Sequence, residues 1–207
     1  MICTQPIGII NNGLGNVGSV KSAFEFYGYP VELVDHPRKI RNLSLIVLAG
    51  VGSFGTAVRN LKQRHLWEAL DQAVIENGIP ILGLCLGMQL FADSGFEDGE
   101  EDGFGWVPGS VVKITTPGVK VPHIGWDRVE FNDPDIFRGM RYHHFYYMHS
   151  YHVVPEDPES IIGTTQYGAD TIVAGIRKDN IIGLQFHPEK SQSDGLRVLR
   201  NIVEAFT

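Results

Sequence analysis

Ile79-Pro-Ile-Leu-Gly-Leu-Cys85-Leu-Gly-Met-Gln-Leu-Phe91 is the stretch on which the reading of this chain turns. Ile79 to Leu84 is a short apolar run behind Asn77-Gly78, the pattern of a buried strand. Leu86, Leu90 and Phe91 recur at helical spacing, so the strand passes directly into a helix. Cys85 stands at the junction, with Gly83 and Gly87 two residues to either side. Gly-x-Cys-x-Gly at such a point is the cysteine form of a nucleophile elbow: the glycines make room for a sharp turn, and the sulfur projects from the carboxyl end of the sheet. A helix N-terminus aimed there favours a thiolate and offers backbone N–H groups to a developing oxyanion. The competing reading is a buried cysteine that only packs.

Upstream, Ile7–Ile10 predicts a strand, and Val17, Val20, Phe24 and Tyr27 predict a helix stopped by Gly28. Between them Gly13, Gly15 and Gly18 match G-x-G-x-x-G, and Asp35 closes the next strand, residues 31–35. Glycine turns of this kind also occur in many α/β proteins that bind no nucleotide, and no cofactor is expected here. Leu45–Ala49 reads as another buried strand. The loop after it, Gly50-Val51-Gly52-Ser53-Phe54-Gly55, is either a plain turn or one whose backbone N–H groups face a reacting carbonyl. A single helix over about 56–76 follows, carried by Val58, Leu61, Leu66, Leu70 and Val74. This order predicts an α/β fold: a doubly wound, mostly parallel sheet with its sites at the strands' carboxyl ends.

Residues 93–103 read as an acidic, glycine-rich surface loop. Short strands are then predicted over 111–114, 128–131, 145–151, 161–165, 171–177 and 181–186. They form a mixed or antiparallel continuation of the sheet, and since no linker sets them apart, residues 1–207 are expected to form one domain. Asp194 is expected to cap a final helix with Leu196, Leu199, Ile202, Val203 and Phe206 on one face. His143, His144, His149 and His152 invite a metal reading. On a strand, however, His143 and His149 share a face but stand roughly 20 Å apart. No single ion bridges that at the ~2.0–2.1 Å that ligation requires, so no metal is expected.

The net charge of −7 argues against a nucleic-acid partner. No apolar run approaches the about 18–20 residues of a membrane span. The N-terminus lacks the basic and apolar regions of a secretory leader. Cys3 and Cys85 make no metal or redox spacing, and a reducing cytoplasm is expected, where a free thiolate persists.

A thiolate nucleophile needs a base, and the base an orienter. His187, in Gln185-Phe-His187-Pro-Glu189-Lys, follows the strand predicted over 181–186 at its carboxyl end. Pro188 restrains the local backbone, and Glu189 stands where its carboxylate can hold the imidazole tautomer. The alternative is a surface turn with an exposed His-Glu pair.

Gly83-Leu-Cys85-Leu-Gly-Met-Gln89 together with Gln185-Phe-His187-Pro-Glu189-Lys-Ser resembles the class I (triad) glutamine amidotransferases. Asn12-Gly-Leu-Gly-Asn16, Ala49-Gly-Val-Gly-Ser-Phe54, Val121-Pro-His-Ile-Gly-Trp126 and His149-Ser-Tyr151 extend the likeness, over essentially the whole chain, to glutaminase subunits of imidazole glycerol phosphate synthases. Two positions depart from the usual pattern: Ala49 stands where the family has Pro, and Asp127 where it has Asn. The resemblance implies that Cys85 attacks the glutamine carboxamide, His187 relays protons and Glu189 orients it. It implies oxyanion donors from Leu86 and the Gly50-Val51-Gly52 loop. It also implies substrate contacts from Gln89, Glu97 and the His149-Ser150-Tyr151 segment, and transfer of ammonia to a (β/α)₈-barrel synthase subunit in histidine biosynthesis. His152 and Ser191-Gln192-Ser193 are somewhat similar to paralogues that supply ammonia for amidating surface-polysaccharide sugars. Readings from other classes are a stand-alone cysteine hydrolase and a non-catalytic module binding a ligand at Gly13–Gly18.

Overall fold

The computed structural model describes residues 5–97 and 99–206; Cys3 lies outside them. Strands β1 (Ile7–Ile10), β2 (Val31–Val34), β3 (Leu45–Gly50) and β4 (Ile81–Cys85) are short and almost wholly apolar, as strands covered on both faces must be. They belong to a sheet that also contains β8 (His123–Phe131), β9 (His144–His149), β11 (Ile161–Tyr167), β12 (Asp170–Lys178) and β13 (Ile181–Leu184). The strand order is β2-β1-β3-β4-β13-β12-β11-β8-β9. Pairing is parallel from β2 to β13 and antiparallel from β13 to β9. The expected parallel half with an antiparallel continuation is therefore present.

Helices cover both faces of the parallel half. Helix α1 (Val17–Glu25) and the C-terminal helix put Val20, Phe24, Val198, Leu199 and Ile202 into one core. Helices α2 (Phe54–Gln63) and α3 (Trp67–Asp71) put Val58, Leu61, Leu66 and Leu70 into the other. These two replace the single helix expected over 56–76. The chain breaks at His65, which takes φ 55°, and the end of α3 widens into a π turn over Gln72–Glu76. The break seats Trp67 on Phe104, with ring centroids 3.7 Å apart, a tertiary contact that period counting cannot see.

Further differences lie downstream. The acidic loop contains two short strands, β5 (Ser94–Gly95) and β6 (Glu101–Asp102). With β7 (Gly109–Lys113) and β10 (Tyr151–Pro155) they build a separate four-stranded sheet, order β10-β7-β5-β6. The strand expected over 145–151 is thus two strands in two sheets, and Ser150 is the crossing point. Asp194 does not cap its own helix, α5 (Gln192–Ala205). Its carboxylate instead accepts from the backbone N–H groups of Arg141, Tyr142 and His143 at 3.1, 2.7 and 3.0 Å. Burial pushes that carboxyl's pKa up, but the three donors more than offset this and hold it below the usual value.

After β4 the chain turns through Cys85, at φ 53° and ψ −106°, into α4 (Leu86–Gln89), one turn rather than the longer helix expected. Both flanking glycines are required by contact. A Cβ on Gly87 would lie 1.7 Å from the Leu48 carbonyl oxygen, and one on Gly83 would lie 2.6 Å from the Phe91 ring. Gly18, by contrast, has open space beyond Asn16 and an ordinary φ. Gly87→Ala should therefore destabilise the protein by about 2–4 kcal/mol in urea unfolding, because backbone must move to admit the methyl. Gly18→Ala should be neutral or stabilising by up to about 1 kcal/mol.

Candidate active site

The parallel register gathers the site. Gly50, the last residue of β3, pairs with Cys85 on β4, and Leu84 pairs with Leu184 on β13. The carboxyl ends of three adjacent strands thus carry the glycine loop, the cysteine and, just beyond β13, His187.

Cys85 and His187 are both buried, at 4% and 3% exposed. His187 Nδ1 faces Glu189 Oε1 at 2.9 Å, and both side chains are buried, so the two are not an exposed pair. His187 Nε2 is buried with no hydrogen-bond partner among the described residues, and the Cys85 sulfur acts on the ring electrostatically. Burial alone would pull the imidazole down. The sulfur and Glu189 outweigh it and raise His187 from the usual 6.5 to about 9. At neutral pH the ring is an imidazolium, favoured by the sulfur and by the Glu189 carboxylate. Ser191 Oγ donates to His187 O at 2.6 Å and accepts from Tyr146 N at 3.0 Å, which fastens the turn to β9.

A cavity of about 330 Å³ opens on Cys85. Val51, Gly52, Leu86, Gln89, Glu97, His149, Ser150 and Tyr151 line it, together with Ser53, Pro122 and Met148. Gly50, His187 and Glu189 lie instead around a smaller cavity of about 60 Å³, and Val51 and Met148 border both. The residues expected from sequence are thus brought together, in two compartments that meet near the cysteine. Gly52 takes φ 125°, a conformation open mainly to glycine, so the loop depends on that residue. Glu97 Oε2 accepts from Phe54 N at 2.7 Å, which joins the acidic segment to the first turn of α2.

The His149 ring is held within the protein. Its Nδ1 lies 2.9 Å from Tyr151 O, and its Nε2 lies 3.0 Å from His123 Nδ1. Burial pushes it down to about 3, and it is neutral at any working pH. With both ring nitrogens engaged it braces the cavity wall, so any contact it offers a ligand comes from its backbone. His123 in turn meets Asp127 Oδ2 at 2.6 Å. Sequence reading missed His123, Met148 and Gln185. Gln185 and His123 stood inside the recognised motifs without a role, and Met148 carries no signal in its residue type.

Gly15 packs against the Gly50 loop; a Cβ there would lie 3.1 Å from Gly50 Cα. The G-x-G-x-x-G turn therefore serves close packing beside the site. Among the described residues no group of three His, Cys, Asp or Glu side chains has metal-binding geometry, and no helix is long and apolar enough to cross a membrane.

Residues 8–205 match the profile of the family described as "Glutamine amidotransferase class-I". The imidazole glycerol phosphate synthase subunit HisH of Moorella thermoacetica is 44% identical, covering 97% of this chain and 95% of its own. Those of Synechocystis and Aquifex aeolicus are 42% and 41% identical, covering 96% and 93% of this chain and 95% and 93% of theirs. In fold, a crystal structure titled glutamine amidotransferase superposes with a TM-score of 0.77 at 15% identity, covering 97% of this chain and 98% of that one. A chain of PurLQS from Thermotoga maritima gives 0.75 at 18%, covering 99% and 100%. With a matching profile from end to end and relatives above 40% identity, the chain belongs to the glutamine amidotransferase class-I family, in the branch of the imidazole glycerol phosphate synthase HisH subunits.

Proposed function

We propose that Cys85, His187 and Glu189 hydrolyse glutamine to glutamate and ammonia, and that the ammonia passes to the synthase subunit of an imidazole glycerol phosphate synthase in histidine biosynthesis. The observation that carries this is the buried His187, with Glu189 on one ring nitrogen and the Cys85 sulfur acting on the ring electrostatically. The names of the relatives favour this acceptor over a polysaccharide sugar.

The charge state of His187 orders the steps. The sulfur attacks the glutamine carboxamide carbon as a thiolate, and the protonated ring is the acid of the next step. Backbone N–H groups of Leu86 and of the Gly50-Val51-Gly52 loop receive the oxyanion. The imidazolium gives its Nε2 proton to the departing nitrogen, the C–N bond breaks, and ammonia leaves a thioester on Cys85. The ring, now neutral, takes a proton from water as that water attacks the thioester. Glutamate departs and the thiolate–imidazolium pair is restored. Gln89, Glu97, Ser150 and Tyr151 hold the amino-acid end of the substrate in the larger cavity.

The partner we propose is a (β/α)₈ barrel. Val121, Ile124 and Trp126 expose large apolar side chains from the segment that also supplies Pro122 to the cavity wall, a surface suited to a docked subunit. The whole chain acts as one glutaminase unit, in the reducing cytoplasm that a free thiolate requires.

Cys85→Ala should lower glutaminase turnover at least ~10³-fold, and His187→Ala should abolish it. Glu189→Gln should cost less, since nucleophile and base remain. Full activity in Cys85→Ala would sink the assignment.

The pH profile should fall on the alkaline side near 9, where the imidazolium is lost. Glu189→Gln removes one cause of the upward shift and should move that limb to lower pH. Because His187 is raised on folding, its contribution to stability is full below about 6.5 and fades as pH rises through about 9.

Synthase subunit and acceptor substrate should together stimulate glutaminase activity by 10²–10³-fold, about what one oxyanion donor is worth. Gly50-Val51-Gly52 can turn a peptide unit toward or away from the sulfur at little steric cost, and Ala49 leaves its entrance freer than proline would. Steady-state rates with and without the partner decide this, and stimulation below about tenfold would favour a stand-alone hydrolase.

A further inference from the structure

Gln185 is fully buried one strand away from the nucleophile, and the mechanism above gives it nothing to do. Its Nε2 lies 3.6 Å from Cys85 Sγ. Its Oε1 lies 3.2 Å from Gln89 Nε2, which also meets the Tyr151 carbonyl at 2.8 Å.

Amide orientation is decided by partners, and one partner here admits no ambiguity. A backbone carbonyl only accepts, so Gln89 must turn its NH₂ toward Tyr151 O. The second N–H of that NH₂ then needs an acceptor, which makes the facing atom of Gln185 its carbonyl oxygen. What Gln185 presents to the sulfur is therefore an N–H donor.

The same carbonyl fixes the other branch. Tyr151 O accepts from His149 Nδ1, so the neutral His149 ring accepts at Nε2 and His123 must donate from Nδ1. His123 Nε2 lies 2.6 Å from Asp127 Oδ2. The groups facing this arm are Tyr147 and Tyr167, stacked on His123 at 4.6 and 3.9 Å, with His152 and His187 near His149. A chain of hydrogen bonds, each with a defined direction, thus runs from His123 to the sulfur.

We propose that Gln185 is a further catalytic residue of this site, whose side-chain N–H holds the Cys85 thiolate in place, with the Tyr151 carbonyl acting through Gln89 to keep that N–H pointed at the sulfur. The proposal rests on Cys85 being the glutaminase nucleophile. A donor fixed in a buried site stabilises the anion more than the thiol.

The test is the pH dependence of Cys85 alkylation by iodoacetamide in the full chain, followed by peptide mass spectrometry, for wild type and Gln185→Met. Methionine keeps the volume and removes the donor. The alkylation profile should move to higher pH and kcat should fall about tenfold in Gln185→Met, while KM for glutamine stays within about twofold. Coincident profiles for variants of equal melting temperature would overturn the proposal while leaving the nucleophile assignment intact. Absence of any adduct on wild-type Cys85 would instead sink the functional reading itself. Should Gln185→Met not fold, the wild-type Gln185 side-chain NH₂ resonances decide. They should shift when Cys85 is alkylated, and unmoved resonances would overturn the proposal.

Discussion

The approach of Gly87 to the Leu48 carbonyl is the constraint on which the site depends. Only a residue without a Cβ allows α4 to lie against the end of β3, and only with α4 there can Cys85 leave β4 at φ 53° and ψ −106°. Backbone in so sparsely populated a region costs about 1–3 kcal/mol and persists only where its surroundings over-determine it. Here they do. Cys85 is still paired with Gly50, β4 is bonded on both edges in parallel register, and Phe91 closes over Gly83. The same register delivers the glycine loop on one side of the sulfur and the His187 turn on the other. Strain at one residue and alignment of three strands are a single structural fact.

Burial sets the charges once the geometry is fixed. His187 and His149 both sit in the interior near the same cysteine, yet their environments drive them in opposite directions. His187 has a carboxylate and the sulfur to compensate its desolvation, and is held charged. His149 has a backbone carbonyl, and its neighbours include His123, His152 and His187, all of which oppose a second positive charge. One histidine is therefore held charged and the other neutral. Residue type alone does not separate these parts; partners do.

Local signals carried most of what could be read from the chain. The elbow glycines, the Gln-Phe-His-Pro-Glu turn and the apolar strands 7–10, 45–49 and 79–84 each declare themselves within a dozen residues. They were enough to anticipate the parallel half of the sheet and to bring Cys85, His187 and Glu189 to one end of it. What was illegible depends on contacts distant in sequence. The break at His65 is set by Trp67 meeting Phe104, and the partners of Asp194 lie about fifty residues upstream. The directed amides need Tyr151, Gln89 and Gln185 assembled from three strands or turns. The separate small sheet was hidden for a similar reason: residues 145–151 read as one strand, and nothing in it announces that Ser150 changes sheets.

That change of sheet has a mechanical meaning. Ser150 joins a strand of the large sheet to a strand of the small one, and the larger cavity lies across the join. Cys85 belongs to one side, while Tyr151 and the loop of Glu97 belong to the other. The join is a fulcrum. A tilt of a few degrees of the small sheet, acting over a lever of about 10 Å (the spacing of packed layers), displaces the far wall by about half an ångström. Misplacements of about 1 Å are what cost an active site most of its rate. Whatever leans on the small sheet from outside thus has leverage on the distance between sulfur and bound ligand without touching either.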